Sequence, residues 1–163
     1  MKSLYLTDLT LGTGIQNLST LTHLQVLDLE GTDLTDDGAK WIASLSSLRF
    51  LDVGNTKLSA AGVRTLTSVS SLEALVLNKL RVQDAIEQIS ELPNLEILDA
   101  SNTDLNNQGL ERLADHKGLL MLGVGNTDVT QSAIGRFERQ SPSCKVVRKA
   151  RGMQIEPSLD FLK

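Results

Sequence analysis

The chain is short of the residues that cross-link, stiffen or span. It holds one cysteine, Cys144, among 163 residues. A single thiol excludes an intrachain disulfide framework and favours a reducing setting, read here as intracellular and cytoplasmic. Three prolines and no low-complexity run exclude a long internal linker. No apolar run reaches the ~20 residues that cross a bilayer, so no membrane span is expected. No basic stretch leads into an apolar one near Met1, so no secretory signal is read there. Aromatic residues make up only 3% of the chain. The 40% hydrophobic content must therefore build an aliphatic core, and 163 residues suffice for one domain.

Catalytic vocabulary is missing as well. There is no C-x-x-C, H-E-x-x-H or G-x-S-x-G, and no phosphate-cradling glycine loop. Gly123-Val124-Gly125 lacks the third glycine of a dinucleotide fingerprint. His23 and His116 lie far apart in sequence, and His116 stands where other segments carry Leu45, Val69 and Leu92. A partly buried neutral histidine is the expectation there. Cys144 occupies a leucine position and reads as a small hydrophobe. Asp36 and Asp37 fit a helix N-terminus, where negative charge meets the dipole. No catalytic, cofactor-binding or metal-binding residue is assigned, and the chain is not expected to be an enzyme.

What the chain has in abundance is self-similarity. Leu24-Gln25-Val26-Leu27-Asp28-Leu29 opens a pattern that returns at Leu48, Leu72, Leu95 and Leu119, in steps of 24, 24, 23 and 24 residues. Leu27 and Leu29 alternate with Val26, Asp28 and Glu30, so the first half of each unit is a short strand with one leucine face. The second half has a spacing near three: Ala39, Ile42 and Leu45; Val63, Leu66 and Val69; Leu110 and Leu113. That spacing predicts a helix with one buried stripe. Thr35, Ser59, Asn106 and Thr130 fall at the N-cap position. Gly38, Gly62 and Gly109 follow three residues later, near the helix start, where a missing side chain permits close approach to the strand. Thr32, Thr56, Thr103 and Thr127 form a hydroxyl column suited to bond loop backbone at the strand ends. One unit cannot bury its own apolar face. Stacked units can, by joining strands into a parallel sheet over a continuous core.

The pattern L-x-x-L-x-L-x-x-T-x-[LV]-[TSN]-x-x-G resembles the leucine-rich repeat superfamily over residues 1–148. It is most similar to the helix-backed subclasses, ribonuclease-inhibitor-like and cysteine-containing, of bacterial or protist type. The resemblance implies an α/β fold: a right-handed solenoid of about six turns, with a parallel sheet on the concave face and short helices on the convex face. It also implies protein binding, but supplies no binding residue to carry over. Residues 1–148 form the expected domain, entered at Met1-Lys2-Ser3-Leu4-Tyr5-Leu6 as the strand of a turn already in progress. Leu9, Leu11, Ile15, Leu18 and Leu21 continue that turn. No polar cap precedes it, which reads as a fragment or as a strand covered from outside.

Residues 149–163 form a separate tail. Met153, Ile155, Leu159, Phe161 and Leu162 suit it to cover the open end of the stack. Residues 145–163 hold five basic and two acidic residues, against eleven and eighteen in 1–144. The basic cluster Lys145, Arg148, Lys149 and Arg151 is short and lacks interleaved aromatics, so it reads as a solvated end and nucleic acid is not the expected partner.

The candidate site is the concave face. Its first outward row is Val26, Phe50, Ala74, Ile97 and Met121, all apolar and expected to be exposed. The second is Tyr5, Asp28, Asp52, Val76, Asp99 and Gly123; the third includes Glu30. An apolar row beside an acidic one suits a protein partner with basic and apolar contact residues. The partner-binding set is thus Tyr5, Val26, Asp28, Glu30, Phe50, Asp52, Ile97, Asp99 and Met121. Trp41, in a column of polar residues, either packs over the next turn or anchors a convex contact. The sequence supports a protein-interaction module, an adaptor or recognition region of a larger intracellular protein, with no small-molecule substrate. The alternative is a substrate-targeting or regulatory segment of a multidomain enzyme.

Overall fold

The computed structural model describes residues 1–149 and Ile155. Seven three-residue strands form one parallel sheet in chain order. They are β1 (Ser3–Tyr5), β2 (Val26–Asp28), β3 (Phe50–Asp52), β4 (Ala74–Val76), β5 (Ile97–Asp99), β6 (Met121–Gly123) and β7 (Lys145–Val147). The helices are α1 (Asp36–Ile42), α2 (Ala60–Leu66), α3 (Ile86–Ser90), α4 (Asn107–Leu113) and α5 (Gln131–Gln140). Each strand but the last is followed by a helical stretch, split in two after β4, which gives six strand-and-helix turns and a closing strand. This is the solenoid that the resemblance implies.

Register follows the repeat. Val26, Phe50, Ala74, Ile97 and Met121 pair in sequence across β2 to β6. Leu27, Leu51, Leu75, Leu98 and Leu122 form the adjacent row, pointing at the helices with no exposed surface. A one-residue slip would exchange these rows, so leucine burial fixes the pairing. The helix stripes Ala39-Ile42, Val63-Leu66 and Leu110-Leu113 close the core from the other side.

The polar rungs are equally periodic. Thr32, Thr56, Thr103 and Thr127 donate to the carbonyls of Leu29, Val53, Ala100 and Val124 at 2.6–2.8 Å. Ser59, Asn106 and Thr130 cap their helices through the side-chain oxygen. Thr35 stands at the same position but makes no such bond. Instead, helix starts are tied from turn to turn: Asp36 accepts from the backbone N–H and hydroxyl of Ser59, and Asn107 accepts from the N–H of Thr130. The helix-start glycines approach the leucine of their own turn rather than the strand. A Cβ on Gly62 would collide with Leu58, and one on Gly109 with Leu105.

Two turns depart from the template. In the first, a 3-10 segment, Gly12–Thr20, replaces the α-helix, and Leu9 is exposed rather than packed. Gly12 has a positive φ there, and Asp33 of the next turn accepts from the Leu11 and Gly12 N–H groups. In the turn from Leu72, the threonine column holds Leu80, and the unit is one residue short. Its helix splits into a 3-10 piece, Gln83–Ala85, and the five-residue α3. Asp104 of the following turn accepts from the Val82 and Gln83 N–H groups, in place of a local cap.

Candidate protein-binding face

The strands bring the expected rows together on the sheet face opposite the helices. They also bury one of them. Val26, Phe50, Ala74 and Val76 form a hydrophobic cluster separate from the main core, each at most 5% exposed. Ile97 and Ile155 pack against it. The exposure expected of Val26 and Phe50 is therefore corrected. Both point away from the leucine core, yet neither is open to solvent. They pack on one another across neighbouring strands, and Ile155, from beyond the last repeat, packs against the cluster. Met121 and Ile97 remain half-buried, and Tyr5 is 54% exposed.

Of the five tail residues expected to cover the open end, Ile155 alone is described, and it sits on the concave face. Met153, Leu159, Phe161 and Leu162, like Arg151, lie outside the described residues.

The acidic row has a local structural task. Asp28, Asp52 and Asp99 each accept, through Oδ1, the N–H two residues on: Glu30, Gly54 and Ser101, at 3.0, 2.8 and 2.9 Å. These turns satisfy backbone donors as the strands end. Asp99 has no exposed surface, so the exposure expected of it is corrected too. Gly123 follows Asp99 in the row, and a Cβ there would collide with the Asp99 carboxylate. Glu30 is exposed, and Asp28 and Asp52 are intermediate. Burial pushes the Asp52 carboxyl up to about 7; the Gly54 N–H opposes this, while the negative charges of Asp28, Glu30 and Asp99 add to it.

The remaining candidates are structural. His116 is buried, and its Nε2 lies 2.8 Å from the Leu92 carbonyl, which makes Nε2 the donor. Cys144 is buried, and its thiol is pushed up to about 11 by burial, far from a reactive thiolate. Arg148 of the basic cluster bonds Gln131 and Glu138 on α5, while Lys145 and Lys149 are exposed. Trp41 is 43% exposed on the helix side. Among the described residues no group of His, Cys, Asp or Glu could hold a metal ion. No helix among them is long and apolar enough to cross a membrane. A cleft at the edge of the third and fourth turns is lined by Lys57, Arg64, Lys79, Arg81, Asp84 and Asp104, but it is shallow and open, and Arg64 is already bonded to the Asp84 carbonyl.

Sequence reasoning missed two features of this face. One is the ion pair on its rim, where Arg49 grips Glu73 through two 2.7 Å bonds. Their spacing of one repeat, 24 residues, was the available signal. The other is Ile155 as an occupant, for which the repeat carries no signal.

Comparison with known proteins gives a consistent result. A family model described as "Leucine Rich repeat" matches residues 20–43, the unit containing β2 and α1. The crystal structure of internalin C2 from Listeria monocytogenes is similar, with 26% identity and a TM-score of 0.66 over 90% of this chain. An internalin, inlF, from the same organism is similar in fold, at 16% identity and a TM-score of 0.64, again over 90% of the chain. The chain spans 58% and 46% of the lengths of those two structures. No curated protein sequence matches it significantly.

Proposed function

Since this chain is a leucine-rich repeat protein, we propose that it is a non-catalytic protein-interaction module that binds its partner on the concave sheet face. Solenoids of stacked repeats present extended concave surfaces suited to macromolecules. One observation carries the reading. The row Val26, Phe50, Ala74, Ile97 and Met121 is apolar on the face where the core does not need it. Leucine burial is complete without this row, so its apolar character calls for a second surface to cover it. Phe50 and Met121 are residue types that anchor interfaces. Asp28, Glu30 and Asp52 beside them select a basic partner and steer its approach. Tyr5 and Ile97 complete the set, while Asp99 serves the strand-end turn beneath it. The proposed setting is an adaptor or recognition region of a larger intracellular protein, motivated by the single buried thiol.

The test is affinity capture with three proteins: wild type, the double variant Phe50→Ala with Asp52→Lys, and the convex-side variant Trp41→Ala. A partner retained by wild type and Trp41→Ala but lost by the double variant supports the concave face. Binding of every captured partner that survives the double variant removes it.

A further inference from the structure

The loops that leave the strands carry two columns whose charge is not uniform. In the first, Asp8, Gly31, Asn55, Lys79, Asn102 and Asn126 all have a left-handed backbone, with φ between 55° and 71°. Aspartate, glycine and asparagine enter that region readily, and a lysine does so rarely. Lys79 is the one cation in the column. Two residues on, the second column reads Thr10, Asp33, Lys57, Arg81, Asp104 and Asp128. Asp33 and Asp104 accept backbone N–H groups of the preceding turn. Lys57 and Arg81 have no acceptor to offer. In the other four turns these two columns hold acids and no base. The edge therefore changes sign at the third and fourth turns alone.

The same place is hollow. Lys57, Lys79, Arg81 and Arg64 of α2 line a cleft of about 570 Å³ together with Asp84 and Asp104. Four bases against two acids leave it net positive, in a body whose residues 1–144 hold eleven basic and eighteen acidic side chains. Two of the six groups are tied to the frame. Arg64 donates to the Asp84 carbonyl at 3.0 Å, and Asp104 takes the N–H groups of Val82 and Gln83. Lys57 is within electrostatic reach of Asp33. Lys57, Lys79 and Arg81 are exposed, and none of the three forms a salt bridge or a side-chain hydrogen bond among the described residues.

The shape of the cleft selects the partner. It is too open to enclose a small molecule, but it lets a chain pass. No aromatic side chain lines it, so nucleic-acid bases have nothing to stack on, and the acidic body repels a phosphate backbone. Lys57 and Arg81 are equivalent positions of adjacent turns. Such positions lie about 4.8 Å apart at the strands and further apart toward the helices. Alternate side chains of an extended peptide are spaced about 6.8 Å along one face. Carboxylates at alternate positions thus meet the cations of successive turns.

We propose that this edge cleft binds an extended acidic protein segment, with carboxylates at alternate positions, through Lys57, Lys79 and Arg81. The site lies on the loop edge, apart from the apolar concave row, and does not depend on the reading above.

The experiment uses the full chain and a fluorescein-labelled heptapeptide of alternating glutamate and serine, followed by anisotropy at about 50 mM salt. Lys79→Asn with Arg81→Gln removes two cleft cations. Asparagine stands in that column at positions 55, 102 and 126, so the loop is kept. Lys145→Gln with Lys149→Gln removes two exposed cations elsewhere and gives the same net charge. Circular dichroism first establishes that both variants keep the wild-type spectrum. The cleft variant is expected to bind the peptide about tenfold more weakly, roughly threefold per contact, and the control variant as wild type does. Lys57→Gln, on the other turn, is a separate reading and is expected to lose about threefold. The peptide with glutamine for glutamate is expected not to bind, and affinity is expected to fall toward about 300 mM salt as the charges are screened. Equal losses in the cleft and control variants overturn the cleft, as does absence of wild-type binding. A short oligothymidylate bound as tightly as the peptide, and lost by the same cleft variant, overturns an acidic protein segment as the ligand. In every case the capture experiment with Phe50→Ala and Asp52→Lys still decides the concave face on its own.

Discussion

On the helix side of the sheet, Leu27, Leu51, Leu75, Leu98 and Leu122 have no exposed surface; on the other side, Val26, Phe50 and Ala74 are buried almost as completely. The leucines are covered by helices that belong to the same repeat, so every turn brings its own lid. The concave row has no such lid. Ile155, which belongs to no repeat, packs on it. Equal burial therefore has two different meanings. One side is buried under the helices of the unit that defines the fold; on the other, the row packs on itself across strands and Ile155, from outside that unit, packs against it. A row of the first kind serves stability. A row of the second kind keeps its apolar character for an occupant.

The contrast can be broken first where it is largest. Leu51→Ala or Leu75→Ala opens a cavity in a closed core and is expected to cost about 2–5 kcal/mol, read from urea unfolding. Phe50→Ala removes a larger side chain but leaves a space that water can enter. Its expected cost is about 1–2 kcal/mol, below the roughly 3–5 kcal/mol of a phenylalanine truncated in a sealed core. A loss at Phe50 equal to or above that at Leu51 would make the concave row part of the structural core.

The acidic row sharpens the comparison through pH. Asp52 has a folded pKa of about 7 against a usual value of 3.8. The folded chain therefore holds a proton that the unfolded chain has released. The stability this contributes is complete below about pH 4 and is lost as pH rises through about 7. Asp52→Asn is expected to flatten that part of the stability profile, as measured by urea midpoints between about pH 4 and 8. A carboxyl resonance of Asp52 that titrates near 4 would contradict the burial assigned to it. The smallest effect belongs to the exposed helix side. Breaking the 3.2 Å pair of Arg136 and Glu111 with Glu111→Ala is expected to change stability by less than about 0.5 kcal/mol.

Much of this was legible in the sequence because it repeats. Strand register, the leucine core and the threonine rungs each show in several units, so one reading is checked against its copies. Single-copy features were not legible. Nothing in Thr35 distinguishes it from Ser59 or Thr130, yet it does not cap. The turn from Leu72 shows its missing threonine at Leu80, but its split helix is stabilised by Asp104 from the next unit, a contact between turns rather than within one. For the candidate site, the alignment of Val26, Phe50, Ile97 and Met121 followed from periodicity. The packing of Ile155 against that row's cluster did not, because Ile155 lies beyond the last repeat and no pattern ties it to residues some eighty to one hundred and thirty positions earlier.

The most direct measurement is the set of nuclear Overhauser contacts made by the Phe50 ring in the methyl-labelled full chain. Contacts to the methyl groups of Val26, Val76 and Ile155 are the expected result. A Phe50 ring that meets only Leu51-side core methyls, or that shows no contact with Ile155, would contradict a second apolar surface held for an occupant.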